Sequence, residues 1–275
     1  MDIQHITLTA GQDNRLPLFP DDAAYLEALH RLGAVCLGCV ALFALVGEHL
    51  HLVVQASREK AGRLAQASIR TLTPIVATPF ASSHIRPVKN RSHMRWLLRY
   101  LLEQAAKHGM PGHPALWVGS CLPDLVGARI IEGLTLCISM VLPDYNVARA
   151  LRIVDVAASE VPPATQETLR GAGASRIKLA AAAVFGVDPS LRANKPAARL
   201  ARRAAAQLAA RVGIGAGEVT TALARSPNTL WRLHQPEVEF NTLVAIARRV
   251  TLENLVQATD VNTRLLAVRP TQVAG

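Results

Sequence analysis

Aromatic residues make up only 4% of this 275-residue chain, charged residues only 18%, and cysteines number four. So few aromatics leave little material for a platform on which bases of a single-stranded nucleic acid could stack. Cys36 and Cys39 form a Cys-x-x-Cys, but it lies in an apolar run and no second pair follows at suitable spacing; Cys121 and Cys137 stand alone. A zinc-stabilised structural protein is therefore the weakest of the open readings. Long apolar runs are also missing. The stretch Leu32 to Gly47 is 16 residues long and broken by glycines, short of the ~18 residues of a spanning helix, so no membrane partner is expected. The N-terminus, Met-Asp-Ile-Gln-His, lacks the basic-then-apolar order of a secretion signal, which predicts a cytoplasmic chain with reduced thiols.

What is present is apolar and basic. Hydrophobic residues amount to 50%, enough for one large or two modest cores and too many for a disordered tail. Thirty Lys and Arg against twenty Asp and Glu leave a net charge of +10, which makes nucleic acid the first partner to consider. The charge is uneven: residues 1–150 carry 14 basic and 11 acidic side chains, whereas 151–275 carry 16 and 9. Between these halves the stretch 157–174 is polar and small, with adjacent prolines and two glycines. It reads as a linker between a first domain, 1–156, and a second, 175–275.

The first domain mixes periods. His5 to Thr9 alternates like a strand, Asp21 can cap a helix carrying Tyr25, Leu26, Leu29 and Leu32, and Val35 to Val54 suits two buried strands. Arg58 to Thr73 and Ser92 to His108 read as helices, and Gly127 to Leu142 is ambiguous. The pattern predicts an α+β domain. The second domain reads as all-helical, with Ser175 capping a helix to Phe185, Pro196 opening one to Val212, a short helix over 217–224 and another over 228–234. Short helices joined by glycines suggest a helix-turn-helix.

The densest chemical signal is Gly47-Glu-His-Leu-His-Leu-Val-Val54. Alternation puts His49 and His51 on one face of a strand, and two neutral imidazoles on one face are half of a divalent metal site. The alternative is one hydrogen-bonded core histidine beside one at a strand edge. In Arg95 to Ala106, Tyr100 and Gln104 lie four apart and share a helix face. A tyrosine hydroxyl beside a metal-polarised phosphodiester can attack phosphorus, and Gln104 would add a neutral oxygen ligand; an amphipathic core helix with a half-buried tyrosine is the alternative.

In this order, an alternating strand, a helix, a His-hydrophobic-His strand and a Tyr-x-x-x-Gln helix, the sequence resembles the single-tyrosine HUH transposases, specifically those associated with repetitive extragenic palindromes. The resemblance runs from about His5 to Gly127. It implies a ferredoxin-like antiparallel sheet with flanking helices, with His49, His51 and Gln104 holding Mg2+ or Mn2+ and Tyr100 cleaving single-stranded hairpin DNA through a 5′-phosphotyrosine. It departs from the family at Glu48, where Asn is usual, and in lacking the Asn-Pro that follows the tyrosine. The rival reading is an inactive, domesticated DNA-binding protein that keeps the fold.

The second domain resembles the C-terminal helix-turn-helix domain of the bacterial replication initiator DnaA. That resemblance implies duplex binding at a nucleoid-associated chain, with Arg225, Ser226, Asn228, Thr229 and Arg232 at the start of a recognition helix. Arg199, Arg202 and Arg203, on adjoining faces of the preceding helix, would grip phosphates; a helical bundle with a solvated arginine face is the alternative. A homodimer is compatible with either. Trp96 and Trp117 are expected in the core, and His84, His93, His108 and His113 in loops around the tyrosine helix.

Overall fold

The computed structural model describes residues 2–11 and 16–267, with side chains up to Asp260. The last residues assigned to the second domain lie outside the described residues.

The chain begins β-α-β-β-α-β. Strand β1 (Ile3–Ala10) leads to helix α1 (Asp22–Cys36), strands β2 (Val40–Leu45) and β3 (His49–Gln55), helix α2 (Arg58–Leu72) and strand β4 (Phe80–Pro87). The four strands form one antiparallel sheet in the order β2-β3-β1-β4. Local chemistry sets the helix starts, because Asp21 accepts from the Ala24 N–H and Ser57 from the Lys60 N–H. Strand β1 follows the expected alternation: Gln4, Ile6 and Leu8 are buried, while His5, Thr7 and Thr9 face the other way. Helix α2 lies on the Ile6 face, since a Cβ at Gly62 would touch Ile85, the strand partner of Ile6.

Strand β4 lies between the helices expected over 58–73 and 92–108, where the sequence reading places no element. Its pattern offers no apolar alternation, since Phe80 and Ile85 are its half-buried residues and the rest are exposed; among the described residues it pairs with β1 alone. The opposite edge is covered. The Leu45 N–H donates to the Gly119 carbonyl and the Val40 carbonyl accepts from the Cys137 N–H, so every residue of β2 is buried. The covering segment 127–142 is neither strand nor long helix. It crosses the end of α1 at Gly33 and Gly133, where a Cβ on Gly33 would sit 2.1 Å from the Glu132 carbonyl oxygen.

Helix α3 (Arg91–Leu102), capped by Asn90, packs on β2, and a four-residue helix α4 (Gln104–Lys107) follows after Glu103. The single helix expected from Ser92 to His108 is thus two. Short helices α5 (Leu122–Leu125), α6 (Ile138–Val141) and α7 (Val147–Ile153) complete the first region.

Beyond it the chain is helical: α8 (Gln166–Val184), α9 (Pro196–Arg211), α10 (Ala216–Leu223), α11 (Pro227–Leu233) and α12 (Phe240–Ala267). The stretch expected as a linker is in its second half helical. Thr165 caps α8, Leu169 is buried, and the helix kinks at Gly173, where φ is 76° and the Glu218 carboxylate caps the restart at the Ala174 N–H. Two apolar clusters form, one of sheet and surrounding helices, the other of alanine-rich faces on α8 and α9. Helix α12, which lies beyond the last helix bounded from the sequence, joins both: Leu243, Ile246 and Val250 pack in the second cluster, Leu252 and Val256 in the first. Among the described residues no helix is long and apolar enough to cross a membrane.

Candidate active site

The site is a product of strand register. On β3, His49 stands opposite Thr9 of β1, and His51 opposite Thr7, which is in turn opposite His84 of β4. Directly paired residues project to one face of an antiparallel sheet, so His49, His51, Thr7 and His84 share a face, and His5 joins them one step along β1. Tyr100 of α3, Gln104 of α4 and His108 approach this face from the helical side.

The two histidines are held differently. The Nδ1 edge of His51 lies 3.1 Å from both the Thr7 hydroxyl and the Nε2 of His5. Its other nitrogen, Nε2, is buried without a partner among the described residues. The Nε2 of His49 instead meets the Oε1 of Gln104 at 3.1 Å. Gln104 is oriented by its own helix, its amide N–H donating to the Tyr100 carbonyl at 3.0 Å, which turns Oε1 toward His49. The rings of His49 and His51 are 4.5 Å apart, and that of Tyr100 is 5.4 Å from His51. The break at Glu103 leaves Tyr100 and Gln104 on the shared side that their spacing predicts. His49, His51, Gln104 and Tyr100 therefore converge.

Burial keeps the imidazoles neutral. It pushes the His51 pKa down to about 2, helped by the neighbouring His49, His5 and His108, and that of His5 down to about 4, helped by His93 and Arg86. His49 is lowered too, chiefly by burial. A neutral imidazole with a free lone pair is the form that binds a cation. The orphaned Nε2 of His51 and the His49–Gln104 contact fit such a group: the proton between His49 and Gln104 occupies the place of a cation, and Thr7 with His5 fixes the ring of His51 from behind. Among the described residues no three His, Cys, Asp or Glu side chains gather as a metal site; the third donor here is an amide oxygen.

A cleft of about 660 Å3 opens on this face, lined by His51, Tyr100 and His5 and rimmed by Arg86, Lys89 and Trp96. Sequence reasoning missed His5, because its contact with His51 depends on pairing between residues 46 apart. Trp96, expected in the core, is 55% exposed and stacks on Tyr100 with centroids 4.9 Å apart and planes 11° apart. Trp117 is buried as expected, its indole N–H donating to the Leu45 carbonyl. His108 lies in contact with His49, and His84 with His93 line the cleft, so three of the four histidines expected in loops surround the site. His84 itself sits on β4. The four cysteines are free thiols, with Cys39 donating to the Cys36 carbonyl.

The basic residues of the second region divide. Arg202, expected on the surface, is instead buried, its guanidinium donating to the carbonyls of Leu191 and, at 2.9 Å, Ala193. The alanine-rich helix face has no bulk to fill the space under residues 191–193, and the long arginine does so. Arg203 is half-buried with its Nε enclosed, while Arg199 is exposed. Ser226 caps α11, receiving the Thr229 N–H at 3.3 Å and meeting the Thr229 hydroxyl at 3.1 Å. Both hydroxyls are thus engaged in starting the helix. Asn228 and Arg232 are exposed beside Trp231, and Arg225 is half-buried. Buried Gln207 fixes the segment that follows, donating to the carbonyls of Leu233 and Pro236 and receiving the Val238 N–H.

Comparison of the chain with protein-family models, with curated proteins and with solved structures finds no match in any of the three.

Proposed function

We propose that the chain is a divalent-metal-dependent DNA endonuclease and strand transferase of the single-tyrosine HUH kind, acting on single-stranded hairpin DNA. The observation that carries this reading is the convergence, on one sheet face, of the orphaned His51 Nε2, the paired His49 Nε2 and Gln104 Oε1, and the ring of Tyr100. The β-α-β-β-α-β order with strands β2-β3-β1-β4 suits the ferredoxin-like fold of that family.

His49, His51 and Gln104 would hold Mg2+ or Mn2+, whose contribution is to polarise the scissile phosphodiester and draw charge onto its non-bridging oxygens. Thr7 and His5 would hold His51 at Nδ1 and leave Nε2 as the free donor for the ion. The Tyr100 oxygen attacks phosphorus, its proton leaving to solvent in the open cleft. The bond from phosphorus to the 3′-oxygen breaks, that oxygen takes up a proton, and the 5′ end stays on Tyr100 as a phosphodiester. The linkage keeps the bond energy, so a second 3′-hydroxyl can reverse the step without ATP. In the second region α10 and α11 would act as a helix-turn-helix, with exposed Asn228 and Arg232 toward duplex DNA.

Incubation with labelled hairpin oligonucleotides and Mn2+ should leave a labelled protein band on a denaturing gel. Chelation and Tyr100→Phe should each remove it. An equally strong band from the Phe variant would overturn the assignment, and no band from the unaltered chain would leave the inactive-binder reading.

A further inference from the structure

Trp96 is wasteful as a packing residue: more than half of it faces solvent, while its inner surface lies flat on Tyr100. Single exposed apolar side chains are ordinary. This one, however, forms a wall shared by two clefts, the histidine cleft of about 660 Å3 and a second of about 960 Å3 on the far side of α3. Both are basic. The first is lined by Arg86 and Lys89 and by no carboxylate. The second is lined by five Lys and Arg side chains against Glu103 and Asp155. Three of the five are tied down, Arg95 to Asp144 and Arg99 with Lys107 to Glu103. Arg149 and Arg152 of α7 are exposed and have no ion-pair partner among the described residues. Unpaired cations on both sides of an exposed indole match a backbone of phosphates with a flat base between them. Together the clefts exceed what one small ligand fills.

We propose that single-stranded DNA crosses α3 at Trp96, with an unpaired base stacked on the exposed indole, phosphates on one side held by Arg149 and Arg152, and phosphates on the other held by Arg86 and Lys89. The scissile phosphate then lies over Tyr100, one helical turn from the stacked base. A duplex cannot make this contact, because its bases present no free face. The inference rests on the phosphotyrosine reading and names how its substrate is seated.

The test is equilibrium binding of a labelled thymidine oligonucleotide to the full chain carrying Tyr100→Phe, in chelator, so that no cleavage intervenes. Adding Trp96→Ala should weaken binding by roughly ten- to a hundred-fold, and Trp96→Phe should restore most of it. An oligonucleotide with abasic sites should bind equally well with and without the Trp96→Ala substitution. Arg149→Glu with Arg152→Glu should weaken binding and flatten the dependence of log affinity on log salt by ~0.7 for each phosphate no longer neutralised. Unchanged affinity on Trp96→Ala, or tighter binding of duplex than of single strand, would overturn the proposal. The covalent-band assay run in parallel separates the two claims. A Tyr100-dependent band with Trp96-independent binding overturns the seating alone. Trp96-dependent binding with no band overturns the chemistry alone, and absence of both overturns both.

Discussion

The two regions of the molecule use their functional residue types in opposite ways. In the first, side chains far apart in sequence are drawn together: His5, His51, Gln104 and Tyr100 come from two strands and two helices and meet on one sheet face. In the second, arginines within five positions of one another differ in burial: Arg199 is exposed, Arg202 is buried under backbone carbonyls, and Arg203 is half-buried. Spacing on a strand of period two is a reliable guide to a shared face, because the register of neighbours is imposed by the sheet. Adjacency on a helix is not, because successive residues point about 100° apart and the packing of the bundle decides which are enclosed.

The largest expected effect that sharpens this contrast is acid sensitivity of the first region. The folded pKa values of His5, His49 and His51 lie below the ordinary unfolded value, all mainly through burial. On acidification the unfolded chain therefore takes up protons first, and stability falls as pH drops below roughly 6.5. The loss should run at ~1.4 kcal/mol per pH unit for each histidine that stays neutral, with the share of His5 ending near its folded pKa of about 4. Urea titrations of metal-free protein between pH 7 and 4.5 measure it, and His5→Gln should reduce the slope. A flat profile would mean the cluster is solvated.

Next in size is the arginine pair. Arg202→Ala leaves two carbonyls without their donor and should cost about 2–4 kcal/mol of stability, whereas Arg199→Ala should stay within ~0.5 kcal/mol. Equal losses would show that both arginines are surface charges. The smallest effect concerns duplex DNA: Arg232→Ala should weaken all sequences alike and lower the salt slope by ~1, and Asn228→Ala should cost ~1–3 kcal/mol on a preferred site only. Point substitutions suit this test better than truncation, since cutting at residue 157 would strip Leu252 and Val256 from the first core.

Much of the first region is legible in the sequence because its signals are local. Asp21 and Ser57 are caps within three residues of the groups they bind, and His-Leu-His on an apolar strand fixes a face. What stayed hidden depends on distant partners. Strand β4 shows no apolar alternation because Phe80 and Ile85, its residues packed against the core, lie five apart among exposed polar ones. The restart of α8 after Gly173 is capped by Glu218, 44 residues from the Ala174 N–H that it receives. Trp96 reads as core by composition and is exposed because Leu97, Leu98 and Leu101 already fill the buried side of α3. His5 becomes part of the site only through the β1–β3 register. The Tyr100–Gln104 pairing is readable from helical spacing, although the helix is interrupted between them.

The central claim is that Tyr100 is the nucleophile beside the histidine pair, and the chain offers only two other tyrosines, Tyr25 and Tyr145. Tyr25 is buried against Phe19 and Trp117, with its hydroxyl pKa raised to about 12 by burial. Tyr145 donates to the Leu125 carbonyl. The decisive measurement is peptide mapping by mass spectrometry of the covalent protein–DNA product formed with a hairpin oligonucleotide and Mn2+, after nuclease trimming. The account predicts a 5′-phosphonucleotide on the peptide containing Tyr100 and on no other, absent when His49 or His51 is replaced. A nucleotide on any other residue, or an adduct that persists without both histidines, would contradict it.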